Sequence, residues 1–252
     1  MRHRLPAAAS LLITLGLLGG CSDDGSAPPF WDGAADLERP DFLRPDLQPP
    51  LVDGPLVDGA VDSVASVDGP GAPLFDDVPA GHLYYVEIQW VGHKGYMVGC
   101  SASPAKFCPV DSMKRSDMAV ATARMKFGES FSYTPTPHFS DVPAGHPAFK
   151  YIQKLHDANI VLGCSVGKYC PDQTATRADA AAIIVRAKFG QSFNYSTMPA
   201  FSDVPATHAA FKYVQKLYDA QISLGCGSGN YCPGDDLLRQ HMAVFLYRAQ
   251  TL

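Results

Sequence analysis

Three arginines, Arg115, Arg177 and Arg239, hold the same place in three related stretches of the chain while their neighbours drift. The sequence around each reads as the start of a helix, where the macrodipole favours anions and a cation is locally unfavourable. A charge kept against its local preference needs a reason. A guanidinium grips a carboxylate with two parallel hydrogen bonds, and a helix N-terminus offers free N–H groups beside it. That combination suits an acidic sugar, such as a uronic or pyruvylated residue. The other reading is that each arginine pairs with an acidic group of a neighbouring stretch. Other columns recur. His82, His146 and His208 have no recurring partner, so a hydrogen-bonded turn is expected of them rather than metal or catalytic work. Asp77, Asp141 and Asp203 precede a Val-Pro and are expected to accept backbone hydrogen bonds at that turn. Hydrolysis of a glycan needs two carboxylates flanking a cleft, and these read as turn residues, so the expectation is no enzyme.

The columns belong to a repeat. Phe75, Phe139 and Phe201 each stand 25 positions before Cys100, Cys164 and Cys226. From Cys108, Cys170 and Cys232 onward the copies align without a gap, which gives a period of about 62 residues. Each copy reads as helix–loop–helix. The entry is extended before proline, and a first helix is expected from near His82, His146 and His208. Its apolar stripe is Tyr85, Ile88 and Val91 in one copy, Phe149, Ile152 and Leu155 in the next, and Phe211, Val214 and Leu217 in the third. Gly95, Asn159 and Gln221 mark its end, the first two suited to a left-handed stop. The second helix opens with Thr176-Arg177-Ala178-Asp179 in the middle copy, a capping-box pattern. Lys114-Arg115-Ser116-Asp117 and Leu238-Arg239-Gln240-His241 lack the capping hydroxyl. Arg124, Arg186 and Arg248, near the helix end, suit a structural role.

Seven cysteines are present, and six of them fall two per copy. Six allow fifteen pairings. The repeat favours Cys100–Cys108, Cys164–Cys170 and Cys226–Cys232, each closing the loop between two helices and worth about 2–3 kcal/mol at most. Zinc fits poorly, because the spacings are not CxxC and no second ligand pair recurs. No metal and no cofactor are expected.

The ordered motifs of all three copies, roughly Phe75 to Leu252, resemble the S-layer homology family. In the middle copy the pattern is Phe139-x-Asp141-Val142, His146, Ile160, Gly163, Gly167-x-Tyr169-x-Pro171 and Thr176-Arg177-Ala178-Asp179. The resemblance implies an all-α module of three helix–loop–helix repeats in a pseudo-threefold spindle, binding envelope polysaccharide or peptidoglycan-linked glycan in the grooves. The family commonly has Trp after the turn histidine. Leu83, Pro147 and Ala209 stand there instead and remove a stacking surface for a sugar ring. Ala105 replaces a loop glycine in the first copy.

The N-terminal segment sets the compartment. Arg2, His3 and Arg4 precede an apolar run that ends in Leu18-Gly19-Gly20-Cys21. This reads as a secretory signal and looks like a bacterial lipobox, which implies lipidation of Cys21. Ser22 in the next position favours the outer membrane by resemblance to the sorting rule. Acyl chains on one residue hold a protein on a membrane at about 0.8 kcal/mol per buried methylene. The expected organisation is a signal peptide over 1–20, a lipidated cysteine and disordered linker over 21–74, and repeats over 75–134, 135–196 and 197–252. The stretch Ser22–Leu74 carries eleven Asp or Glu against two Arg. With its Pro, Gly and Asp density it reads as an extended tether, about 40 Å long as a coil. Phe30 and Trp31 have no account. The repeats themselves are nearly neutral and carry no basic field suited to nucleic acid. Read together, these features suggest a non-catalytic envelope lipoprotein that ties a membrane to the wall or a surface layer. A protein-docking module is the alternative.

Overall fold

The computed structural model describes residues 73–252. The signal segment, Cys21 and most of the tether, with Phe30 and Trp31, lie outside the described residues. Six helices carry the fold: α1 (Tyr85–His93), α2 (Arg115–Phe127), α3 (Phe149–Asp157), α4 (Arg177–Phe189), α5 (Phe211–Asp219) and α6 (Arg239–Thr251). Strands among the described residues are β1 (Ser101–Ala102) and β2 (Ala105–Lys106), a hairpin in the first cysteine loop. No helix among the described residues is long and apolar enough to cross a membrane.

The first helix of each pair starts three residues later than the sequence suggests. His82, His146 and His208 lie in a tight turn, where their backbone N–H groups donate to Pro79, Pro143 and Pro205. Each Nδ1 accepts the N–H of Tyr84, Ala148 or Ala210 at 3.1 Å, so the histidines order the turn and the helix follows it. Each first helix stops where Gly95, Asn159 and Gln221 take φ of 68°, 58° and 58°. Gln221 thus adopts the left-handed conformation that Gly and Asn adopt at lower cost.

The helices of one pair do not pack mainly on each other. Instead α2 packs on α3, α4 on α5 and α6 on α1, while α2, α4 and α6 meet one another. What imposes this exchange is backbone chemistry just ahead of the second helices. Met113 N–H donates to Leu237 O, Leu237 N–H to Ala175 O, and Ala175 N–H to Met113 O, each at 2.8 Å. The three bonds close a ring through residues that are at most 2 % exposed. No segment satisfies these groups alone.

The cysteine loops are pinned to the chain's extended entries. Asp77, Asp141 and Asp203 each accept two backbone N–H groups, from Phe107 and Cys108, Tyr169 and Cys170, and Tyr231 and Cys232, at 2.7–2.9 Å. The aspartates therefore do accept backbone hydrogen bonds, but the donors lie about thirty residues away, not in the local turn. Phe75, Phe139 and Phe201 bury beside Phe107, Tyr169 and Tyr231 across the same junction. Gly163, at φ 93°, lies against Phe139; a Cβ there would meet the ring at 3.0 Å and collide with the Lys168 carbonyl. The cysteines pair as Cys100–Cys108, Cys164–Cys170 and Cys226–Cys232, each with Cα atoms 6.0 Å apart.

Two tests follow from these loops. Peptide mapping without reductant should recover three disulfides confined to their own loops; a bridge between loops would contradict the arrangement. Burial opposes ionisation of Asp141, but its backbone donors outweigh it and hold its pKa below the ordinary carboxylate range. A lowered folded-state pKa gives stability that is present above the unfolded value of about 3.9 and is lost as pH falls through the folded value. Asp141→Ala should destabilise the protein by about 2–3 kcal/mol at neutral pH by orphaning two N–H groups. It should also flatten the acid limb of the stability–pH curve. Denaturant melts between pH 2 and 7 would read both effects.

Candidate functional site

Arg115, Arg177 and Arg239 are each the first residue of a second helix, preceded by an extended residue: Lys114 at ψ 154°, Thr176 at ψ 165° and Leu238 at ψ 149°. Thr176 forms the full capping box, its hydroxyl accepting from Asp179 N–H and its own N–H donating to Asp179 Oδ2. Lys114 and Leu238 make no side-chain cap.

The free helix amides expected beside the arginines are already taken. Arg115 and Ser116 donate their N–H groups to the carbonyls of Gln173 and Pro171. Arg177 and Ala178 donate to Asp235 and Pro233, and Arg239 and Gln240 to Asp111 and Pro109. Each helix N-terminus is therefore plugged by the cysteine loop of another helix pair, because the buried ring holds the segments in that register. A ligand would meet side chains there, not a bare helix terminus.

The side chains continue the same junction. The Nε–H groups of Arg115, Arg177 and Arg239 donate to the carbonyls of Tyr169, Tyr231 and Phe107 at 3.0, 2.9 and 2.7 Å. The guanidinium carbons stand 5.1, 4.8 and 4.8 Å from those rings. In return the hydroxyls of Tyr169 and Tyr231 donate to the carbonyls of Arg115 and Arg177. Phe107 has no hydroxyl, so the junction at Arg239 is one-sided. Burial pushes the pKa values of Tyr169 and Tyr231 up, so both phenols stay protonated donors. Part of each arginine's role is thus to clamp one helix pair to another.

The terminal nitrogens separate the three junctions. Asp117, Asp179 and His241 occupy one position, two residues after each arginine. Arg115 Nη1 pairs with Asp179 at 2.8 Å. Arg239 Nη2 donates to Val98 O at 2.6 Å, and although burial lowers its pKa, the field of Asp117 favours its charge. At the third junction the corresponding residue is His241. Burial, reinforced by the Arg177 charge, brings its pKa down to about 4, so the imidazole is neutral at pH 7 and supplies no counter-charge. Arg177 is 4 % exposed, and its Nη2 has no hydrogen-bond partner. His241 Nδ1 is likewise buried without a partner. The described residues thus give this buried cation the Tyr231 carbonyl and the faces of Tyr231 and Phe245, but no carboxylate of the kind that Arg115 has in Asp179.

Clefts run beside Arg115 and Arg239. One of about 180 Å³ is lined by Arg115, Asp179, Arg186 and the loop Ile160–Gly163. A smaller one of about 90 Å³ is lined by Arg239, Asp117, Arg124 and Val98. Arg186 and Arg124 brace these walls, and Arg248 holds the corresponding place at the third junction. Arg186 donates to Tyr213 Oη and Ile160 O, Arg248 to Ile222 O, and Arg124 pairs with Glu129 and Tyr151. Leu83, Pro147 and Ala209 are exposed and offer no ring for stacking. Asp77, Asp141 and Asp203 are engaged with their own loops and take no part in the clefts. Sequence reasoning overlooked Tyr169 and Tyr231 as partners of Arg115 and Arg177, and His241 as the neighbour of Arg177. The change from Asp117 and Asp179 to His241 was the available signal.

Two segments of the chain match a known family. Residues 138–181 and 200–243 match the S-layer homology domain family. An S-layer protein of Bacillus licheniformis is 31% identical over 114 residues, 45% of this chain and 13% of the relative. An endoglucanase of Bacillus sp. (strain KSM-635) is 30% identical over 111 residues, covering 44% of this chain and 11% of its own. A cell surface protein of Thermoanaerobacter kivui is 26% identical over 142 residues, 55% of this chain and 19% of its own. The chain thus spans less than a fifth of each of these relatives. Where helix pairs α3/α4 and α5/α6 begin, with their aspartate-pinned loops and arginine-led second helices, the chain carries S-layer homology domains.

Proposed function

We propose that this protein is a non-catalytic anchoring module of the cell envelope. Its three repeats form a pseudo-threefold spindle whose grooves bind an anionic, wall-associated polysaccharide. Lipidated Cys21 and the acidic tether would hold the spindle at a membrane, by the Ser22 that follows the cysteine the outer membrane, and so tie that membrane to the wall or a surface layer. The likeness to S-layer and cell surface proteins supports export to the envelope.

One observation carries the ligand class: Arg177 is buried with Nη2 unpaired beside a neutral His241. A sugar-borne carboxylate or phosphate would supply the missing charge, accepting from Arg177 Nη2 and, in the Nδ1-protonated tautomer, from His241. Arg115 faces Asp179, and Arg239 feels Asp117, so these two arginines are partly neutralised from within. They remain candidate glycan contacts in their clefts, with Arg177 expected to contribute most to binding.

The test uses His241→Asp, which rebuilds at the third junction the arrangement found at Arg115. Sedimentation with purified sacculi freed of protein should show binding weakened by about 1.5–3 kcal/mol, the scale of a charged hydrogen bond. The melting temperature should rise, because the buried cation gains a partner. Arg177→Lys should also bind more weakly, since lysine lacks the planar fork. Undiminished binding by folded His241→Asp would end the reading for this groove. Binding only to sacculi that retain protein would favour a protein-docking module instead. For the anchor, Cys21→Ala should release the full chain from membrane fractions, and persistence there would mean that another element holds it.

A further inference from the structure

The linker that leads into α3 is strapped to that helix by two side chains. Gln153 Nε2 donates to the carbonyls of Thr134 and Thr136 at 2.9 and 2.6 Å, and its Oε1 accepts His138 N–H at 3.2 Å. Asp157 Oδ2 accepts Thr134 N–H at 2.8 Å. The two accepting contacts recur at α5, where Gln215 accepts from Ala200 N–H and Asp219 from Ser196 N–H, while Gln215 Nε2 turns to Asp219 Oδ1. The backbone path is therefore explained without any histidine.

The side chains on the two straps differ. Where the later strap carries Ala200 and Tyr218, the earlier one carries His138 and His156. Their rings stand 3.9 Å apart, centroid to centroid. His138 Nε2 is 3.1 Å from Asp157 Oδ1, and His156 Nδ1 is buried with no hydrogen-bond partner. One ligating atom from each of His138, His156 and Asp157 falls within 4.8 Å of the other two.

We propose that His138, His156 and Asp157 bind a divalent late transition metal of the zinc class, which clips the linker to α3. Two imidazole nitrogens and one carboxylate oxygen are a ligand set that zinc takes in tetrahedral geometry, with water as fourth ligand. Zinc–nitrogen bonds of about 2.0–2.1 Å place tetrahedral donors about 3.4 Å apart, so closing a spread of 4.8 Å requires only modest side-chain movement. Calcium and magnesium prefer oxygen donors and would not use the imidazoles. Asp157 is already oriented by Thr134 N–H through its second oxygen, the kind of outer contact that fixes a metal ligand. His138 and Asp157 are exposed, so an ion has a route in.

The test uses the full chain, untagged and with its disulfides intact, titrated calorimetrically with zinc chloride at pH 7. His138→Ala and His156→Tyr copy the residues of the later strap and should preserve the fold. Wild type should bind one zinc ion in excess of the double variant, and each single variant should lose at least tenfold in affinity. Zinc should raise the melting temperature of wild type and leave that of the double variant unchanged. Equal zinc binding by wild type and the folded double variant would overturn the site and leave a simple His138–Asp157 ion pair. Calcium chloride matching zinc in the same titration would overturn the metal class.

Discussion

The closed ring of backbone hydrogen bonds through Met113, Ala175 and Leu237 is the constraint on which the rest of the fold depends. Buried amides must be paired, and here each pairs only with a group from another helix pair. A single pair left alone would bury donors and acceptors without partners or expose its apolar face. The ring also fixes which loop meets which helix. It sets Gln173 and Pro171 over the start of α2, Asp235 and Pro233 over α4, and Asp111 and Pro109 over α6. The missing caps at Lys114 and Leu238 are tolerated for this reason: the orphan amides of the first turn find carbonyls across the junction. The capping box of Thr176 then adds about 1 kcal/mol at one helix and is not a condition for the others.

The same register decides what the arginines do. Each Nε–H is committed to a carbonyl of another helix pair and each guanidinium lies over an aromatic ring, so truncation would loosen a junction as well as a groove. Clamping and ligand binding, which look like rival explanations in the sequence, use different edges of one planar group. The inner edge is structural at all three positions. The outer edge pairs with Asp179 at Arg115 and with Val98 O at Arg239, while at Arg177 one of its nitrogens is left unpaired. A lysine could not divide its labour in this way, because its single ammonium has no second, fixed edge.

Much of this was legible in the sequence where the causes are local. The capping box, the left-handed stops at Gly95 and Asn159 and the pairing of cysteines eight or six residues apart all follow from residues near one another in the chain. The late helix starts were missed because the Nδ1 of His82, His146 and His208 can close a turn as readily as the residues can enter a helix. The donors to Asp141 were missed because they come from Tyr169 and Cys170, and nothing in the local pattern points there. The exchange of helix partners was illegible for the same reason. An apolar stripe states that a helix must be covered and does not state which helix covers it.

Repetition makes departures from the pattern informative. With three copies of one junction, the shared contacts mark what folding requires, and a copy-specific change stands out against that background. His241 replaces a carboxylate that the other junctions retain, and it leaves a buried guanidinium without its counter-charge, which folding stability alone would disfavour. His138 and His156 sit on a strap that α5 forms with Ala200 and Tyr218, so the strap does not require them. Neither change is explained by the architecture that surrounds it. A histidine that the sister copies replace, placed where its Nδ1 is buried without a partner as at His156 and His241, is best read as addressed to something outside the chain.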